Sequence, residues 1–163
     1  MLIGNVCNRA VVCAGHETSV VAAATLMRRH HVGDVVVIDR ADPERMPIGI
    51  VTDRDIVVEV VASGVDPNTI TLGDLISWGA LVTAQETDSC EDTLRLMHER
   101  GVRRMPVINA AGVLVGIVSS DDMLPRLADE LSRIAELGQR GRERETKTRE
   151  WPIEHLPLAT GAT

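Results

Sequence analysis

Thr52 with Asp55, and Ser119 with Asp122, stand three residues apart inside two octapeptides that nearly repeat, GIVTDRDI from Gly49 and GIVSSDDM from Gly116. An ionised Asp is an acceptor with two oxygens, suited to a pair of adjacent hydroxyls. A Thr or Ser hydroxyl at a helix start can donate to a phosphate, whose charge the helix dipole and free amides favour. The same spacing is also a helix capping box, in which the hydroxyl and the carboxylate satisfy the first turn. Capping and ligand binding can coexist, because a phosphate would lie where the helix begins.

The elements around these pairs repeat as well. HHVGDVVVID (30–39) aligns with RGVRRMPVIN (100–109), Ser19 with Ser89, Met27 with Met97, and GNVC from Gly4 with GDLI from Gly73. Repetition over most of residues 1–125 is a stronger signal than either octapeptide alone. Each copy reads as a hydroxyl-rich opening (HETS or QETDS), a helix (VVAAATLMRRHH or CEDTLRLMHER), two β-branched runs and a second helix. Gly33 and Gly101 are the expected helix stops, with ADPER and AAG as the turns between strands. One unit has too little core to stand alone, so the two are expected to pack as a pseudo-symmetric pair with a cleft between them.

Composition narrows the function classes. The 163 residues are 44% hydrophobic and 25% charged, without Phe or Tyr, so the core must be Val, Ile, Leu, Ala and Met. A net charge of −7 disfavours phosphate-backbone binding, and missing aromatics remove base-stacking platforms, so no nucleic-acid partner is expected. No apolar stretch reaches membrane-spanning length, and MLIGNVCNR lacks the features of a signal peptide, so a cytoplasmic protein without a membrane partner is expected. Cys7, Cys13 and Cys90 have no C-x-x-C spacing and read as buried thiols.

Enzyme signatures are missing: there is no Walker A loop, no G-x-S-x-G and no H-E-x-x-H. The five histidines have no metal-ligand spacing. Asp53, Asp55, Asp121 and Asp122 suit the positive end of a helix dipole without a cation. No catalytic residue, catalytic cofactor or metal is therefore expected.

The marks G-h-h-[TS]-x-x-D, present twice, and V-x-x-h-P-V-h-[DN], complete in VRRMPVIN, resemble the CBS domain. The pair resembles a tandem CBS (Bateman) module, and TDRDIVVEVVASGVDPNTITLGDL is similar to small stand-alone bacterial two-CBS proteins. Val36 departs from the pattern, standing where the family usually has Pro and the second copy has Pro106. The resemblance implies an α/β (α+β) fold of two β-α-β-β-α repeats. Repeat 1 would be 1–64, a linker 65–72, repeat 2 73–128, and a charged helical tail 129–163. It also implies a regulatory or sensory module that binds AMP above all, with ADP, ATP, NAD or S-adenosylmethionine as the other candidates, and signals through a separate downstream protein.

By the same resemblance, ribose goes to the Asp of one copy, phosphate to a basic residue before that copy's first β-run, and base to the other copy. One cleft would use Ser119, Asp122 and Arg104, with Arg103 adjacent and Cys7, Val12, Val32 and Gly33 around the adenine. The other would use Thr52 and Asp55, and Val102 is a further ligand-binding residue. Its basic position is filled by Asp34, which would repel a phosphate, with Arg54 as the compensating charge. The Ser119/Asp122 cleft therefore ranks first. The alternative is a ligand-independent interaction protein or a thiol switch at Cys7 or Cys13. The resemblance further implies a homodimer formed through helices, for which the Val- and Ala-rich VVAAATLM is the candidate surface. Leu124, Leu127, Leu131, Ile134 and Leu137 form an apolar stripe that packs on its own module or on a second subunit.

Overall fold

The computed structural model describes residues 1–39, 45–76 and 81–148. Most of the ADPER turn and the segment from 149 onward, Trp151 included, lie outside them. A 3-10 turn at Ile3–Asn5 leads to β1 (Cys13–Gly15), α1 (Val20–His30), β2 (Asp34–Ile38) and β3 (Pro47–Thr52). A helix follows whose first turn, α2 (Asp53–Asp55), widens into a π-helical stretch over Ile56–Val61. Then α3 (Leu72–Leu75), β4 (Ala84–Gln85), α4 (Cys90–Arg100), β5 (Arg104–Ile108), β6 (Leu114–Ser119) and α5 (Ser120–Thr148) repeat the order. In each three-stranded sheet the first two strands run parallel and the last two antiparallel. The architecture is the expected α+β arrangement of two β-α-β-β-α repeats.

Local chemistry sets the helix ends. The hydroxyls of Ser19 and Ser89 accept from the amides of Ala22 and Asp92 and start α1 and α4. Gly101, at φ 66°, ends α4 as expected. The stop of α1 is not Gly33 but His31, at φ 55°. In the repeat His31 is the counterpart of Gly101, and His enters the left-handed region more readily than most residues. In both copies the amide two residues beyond the helix, Val32 or Val102, donates back to the Met27 or Met97 carbonyl at 3.1 and 3.0 Å.

Val36 has a structural consequence of its own. Its amide donates to the Val12 carbonyl at 2.9 Å and extends β1 to three paired residues. Pro106 has no N–H, and β4 is paired over two. Val36→Pro should therefore shorten β1 and cost about 0.5–1.5 kcal/mol, the net worth of one hydrogen bond. Urea unfolding measures it, and an unchanged midpoint would make that bond dispensable.

Among the described residues the two cores are apolar, and each recruits a segment from outside its own repeat. Ile3 packs with Ala84, Cys90, Met97, Met105, Val107, Val118 and Met123 of the second repeat. Leu72 and Ile76 pack with Ala14, Ala23, Met27, Val35, Val37 and Val51 of the first. Backbone bonds fix the exchange: Ile3 N–H to Asp88 O at 2.9 Å, and Leu72 N–H to Thr18 O at 2.8 Å. The glycines of the repeated octapeptides exist for this crossing. A Cβ on Gly116 would lie 2.6 Å from Cys7 Sγ, and one on Gly49 2.5 Å from Ile76 Cγ2.

Met1–Met123 form one compact unit and residues from Leu124 a second. α5 runs from Ser120 to Thr148, with Pro125 in its first turns. No helix among the described residues is long and apolar enough to cross a membrane.

Candidate functional site

The repeated carboxylates complete capping boxes. Asp122 Oδ2 accepts from the Ser119 amide at 2.8 Å and the Ser119 hydroxyl at 2.7 Å, while the Asp122 amide donates to Ser119 Oγ at 3.2 Å. Thr52 and Asp55 match these bonds at 2.8, 2.8 and 3.2 Å. In this structure each hydroxyl gives its one proton to the carboxylate, the capping role that the spacing also allowed. Each carboxylate uses Oδ2 alone in the box and keeps Oδ1 for a further donor.

Capping by itself does not define the site. Thr71 with Asp74, and Ser89 with Asp92, make the same hydroxyl-to-carboxylate bonds, yet neither pair lines the cavities between the repeats. What distinguishes Asp55 and Asp122 is position. A cavity of 170 Å³ is walled by Asn8, Ala10, Val11, Val12, Val32 and Asp34 of the first repeat and by Arg104, Ile117, Ser119 and Asp122 of the second. Its counterpart, of 270 Å³, takes Ile50 and Asp55 from the first repeat and Val82, Val102 and Arg104 from the second. A third cavity, of 380 Å³, joins the two helix starts and is lined by Thr52, Asp53, Arg54, Asp55, Val102, Arg103, Arg104, Ser119, Ser120 and Asp121 among others.

The structure thus brings together Ser119, Asp122, Arg104, Val12 and Val32 in one cavity, and Thr52, Asp55, Arg54 and Val102 around the neighbouring ones. Cys7 and Gly33 are not on these walls. Cys7 lies against the second core beside Gly116. The Gly33 carbonyl accepts from the Asp53 amide at 3.0 Å and from Arg104 Nη1 at 3.2 Å. Arg103 reaches the 380 Å³ cavity with its side chain exposed, 3.8 Å from Asp121. The sequence reading missed Asn8, Ala10, Val11, Ile50 and Ile117. The last two precede the motif hydroxyl by two residues in both copies, which could have marked them as the same wall. Asn8 arrives by exchanging backbone bonds with Ile117, at 2.8 and 2.9 Å, and no local pattern announces that.

Asp34 and Arg104 require a correction. They occupy equivalent strand starts, paired with Thr52 and Ser119 respectively, but they do not serve separate clefts. The two strand starts meet between the repeats, and Arg104 Nη1 lies 3.2 Å from Asp34 Oδ2. The Asp34 side chain is 15% exposed, and burial pushes its carboxyl above the usual Asp range. Arg104 pulls the other way, while Asp53 and Asp122 add to the rise.

Burial also pushes the Cys7 and Cys13 thiols up, against the opposing effects of Arg9 and Arg45. Both therefore favour the unreactive thiol, which weakens the thiol-switch alternative. Among the described residues no three His, Cys, Asp or Glu side chains converge to hold a metal ion.

With this geometry in place, comparison with known proteins gives a direct answer. The CBS domain family model matches residues 3–62 and 72–129. The chain belongs to the CBS-domain family. Hypoxic response protein 1 of Mycobacterium tuberculosis is 37% identical over 125 residues, covering 77% of this chain and 84% of that protein. The crystal structure of Hypoxic Response Protein I with two coordinated zinc ions superposes with a TM-score of 0.67 at 35% identity, covering 77% of this chain and 98% of that one. The CBS domain protein PAE2072 of Pyrobaculum aerophilum, solved in complex with AMP, gives 0.69 at 25% identity, covering 76% and 90%. This CBS pair is thus similar both to a protein solved with zinc and to one solved with a nucleotide.

Proposed function

We propose that this CBS pair is a non-enzymatic regulatory module of the cytoplasm. It binds an adenosine ligand, AMP foremost, between repeats 1–64 and 73–128, assembles as a homodimer and signals through a separate protein. The observation that carries the reading is the convergence of Asp122, Arg104, Val12 and Val32 on one cavity formed by both repeats. Asp122 Oδ1 accepts from the ribose hydroxyls, and the valines sandwich the base. The guanidinium of Arg104 borders the larger cavity as well and meets the phosphate there. The amides of the first helical turn supply what Ser119, committed to Asp122, does not.

Titration calorimetry with AMP tests this. Asp122→Ala is expected to weaken binding by about 1.5–3 kcal/mol, the range for hydrogen bonds to a charged group. Asp55→Ala/Asp122→Ala is the variant that removes both carboxylates, should the second cleft also fill. Unchanged AMP affinity in the folded double variant would refute the ribose assignment. Mass spectrometry of the native protein separately reports any nucleotide that co-purifies.

A further inference from the structure

We propose that α5 pairs antiparallel with α5 of a second copy of this chain, which deepens the dimer reading above by naming its surface. Leu124, Leu127, Leu131 and Ile134 are 62, 36, 67 and 65% exposed and follow one another at steps of three, four and three. That is the spacing of a coiled-coil seam. Continued at steps of four and three, the seam meets Gly138 and Gly141. Glycine inside a helix costs about 1 kcal/mol relative to alanine, and a Cβ at either position would meet open space within this chain. Among the described residues nothing crowds these two positions; a neighbouring helix with large side chains would.

An antiparallel pair with Leu131 against Ile134 of the second copy sets Leu127 opposite Gly138 and Leu124 opposite Gly141. Large residues then face small ones along the seam, and Ala128 and Ala135 flank it, allowing close approach. Charge selects the same direction. The front of α5 carries Asp121, Asp122, Asp129, Glu130 and Glu136 against Arg126 and Arg133; the rear carries Arg140, Arg142, Arg144 and Lys147 against Glu143 and Glu145. Antiparallel pairing brings acidic front to basic rear, with Asp121 level with Arg144, and opposes the two helix dipoles. Parallel pairing stacks like on like and leaves glycine facing glycine. A twofold contact of this kind is closed and uses the same patch on both chains.

Light scattering on the full chain, with two sets of variants, tests the pairing. Leu131→Glu/Ile134→Glu should raise the dimer dissociation constant at least about a hundredfold, with circular dichroism reporting the fold. Ala128→Cys/Ala135→Cys should cross-link into covalent dimers under an added oxidant, beyond the parent chain and beyond either single variant. A parent chain that is monomeric overturns both this pairing and the homodimer reading. A dimer that survives Leu131→Glu/Ile134→Glu overturns this pairing alone, with the stripe then covered by the chain's own module or by another protein. So does the absence of cross-linking specific to the double variant, which leaves an untouched apolar seam as its check. Neither result bears on AMP binding, which calorimetry reads independently.

Discussion

Asp34→Asn should raise the affinity for AMP about tenfold and leave that for adenosine unchanged. In the folded chain Arg104 does not wait with a free charge: Asp34 Oδ2 lies 3.2 Å from its Nη1. A nucleotide phosphate at Arg104 must share or displace that carboxylate and then sit beside it. Two like charges at about 4 Å repel by about 1 kcal/mol in water and about 4 kcal/mol near a protein surface. Arg104 is 36% exposed, so screening holds the effect toward the lower figure. About 1.4 kcal/mol corresponds to the tenfold change. Asn keeps the shape and removes the charge, while the bond from Arg104 to the Gly33 carbonyl remains. Adenosine, without a phosphate, is the control.

The pH dependence has a definite sign. Burial raises the Asp34 carboxyl above the ordinary Asp value, so on acidification it takes up its proton earlier than an exposed Asp. The advantage of Asp34→Asn over the parent should therefore be full at neutral pH and shrink as the pH falls through that raised value, where the parent's Asp34 also becomes neutral. Linkage runs the same way for folding. The folded state holds this proton more tightly than the unfolded one, so the stability that Asp34 contributes is present at low pH and lost as the pH rises through the folded value. Equal AMP affinity for parent and Asp34→Asn across the range would remove Asp34 from any account of the phosphate.

Leu72→Ala should cost about 2–5 kcal/mol, the range for emptying a fully buried leucine site. Leu72 has no exposed surface and sits in the core of the first repeat, although the chain reaches it only after that repeat's last helix. Because Ile3 does the converse for the second core, the loss should appear as one earlier unfolding transition of the whole pair. Urea unfolding followed by two probes measures this. Leu2→Ala, at a position 48% exposed, should stay within about 0.5 kcal/mol. Two separated transitions, or a cost below about 1 kcal/mol for Leu72→Ala, would contradict the exchange.

What the sequence made legible was local. The β-branched runs DVVVID and MPVIN became β2 and β5 because such residues fit a buried pleated strand, and CEDTLRLMHER became α4 from end to end. Ser19, Ser89, Thr52 and Ser119 sit at helix starts because their hydroxyls act within three residues. The repeat also led correctly to a pair of clefts. Illegible was whatever depended on residues far apart in the chain. The meeting of Asp34 with Arg104, the arrival of Asn8 on Ile117, and the crossings of Ile3 and Leu72 arise from chain segments whose contact no short pattern encodes. Even the stop of α1 departs from the local pattern, which points to Gly33, because His31 takes the left-handed conformation at φ 55°.

The exchanged segments bear on how the protein is made. During synthesis the first repeat can close once Leu72 and Ile76 have emerged, but Ile3, the earliest apolar residue of the second core, must wait unburied until β4, α4, β5, β6 and the start of α5 follow. The N-terminus is therefore the last piece to dock, and closing such a long loop is slow relative to forming the elements themselves. A nascent chain stalled midway would present a nearly finished first half with its Ile3 turn still unplaced, and a second copy of the second half nearby could capture it. The crossing that joins the two halves is therefore also the contact that two copies could trade.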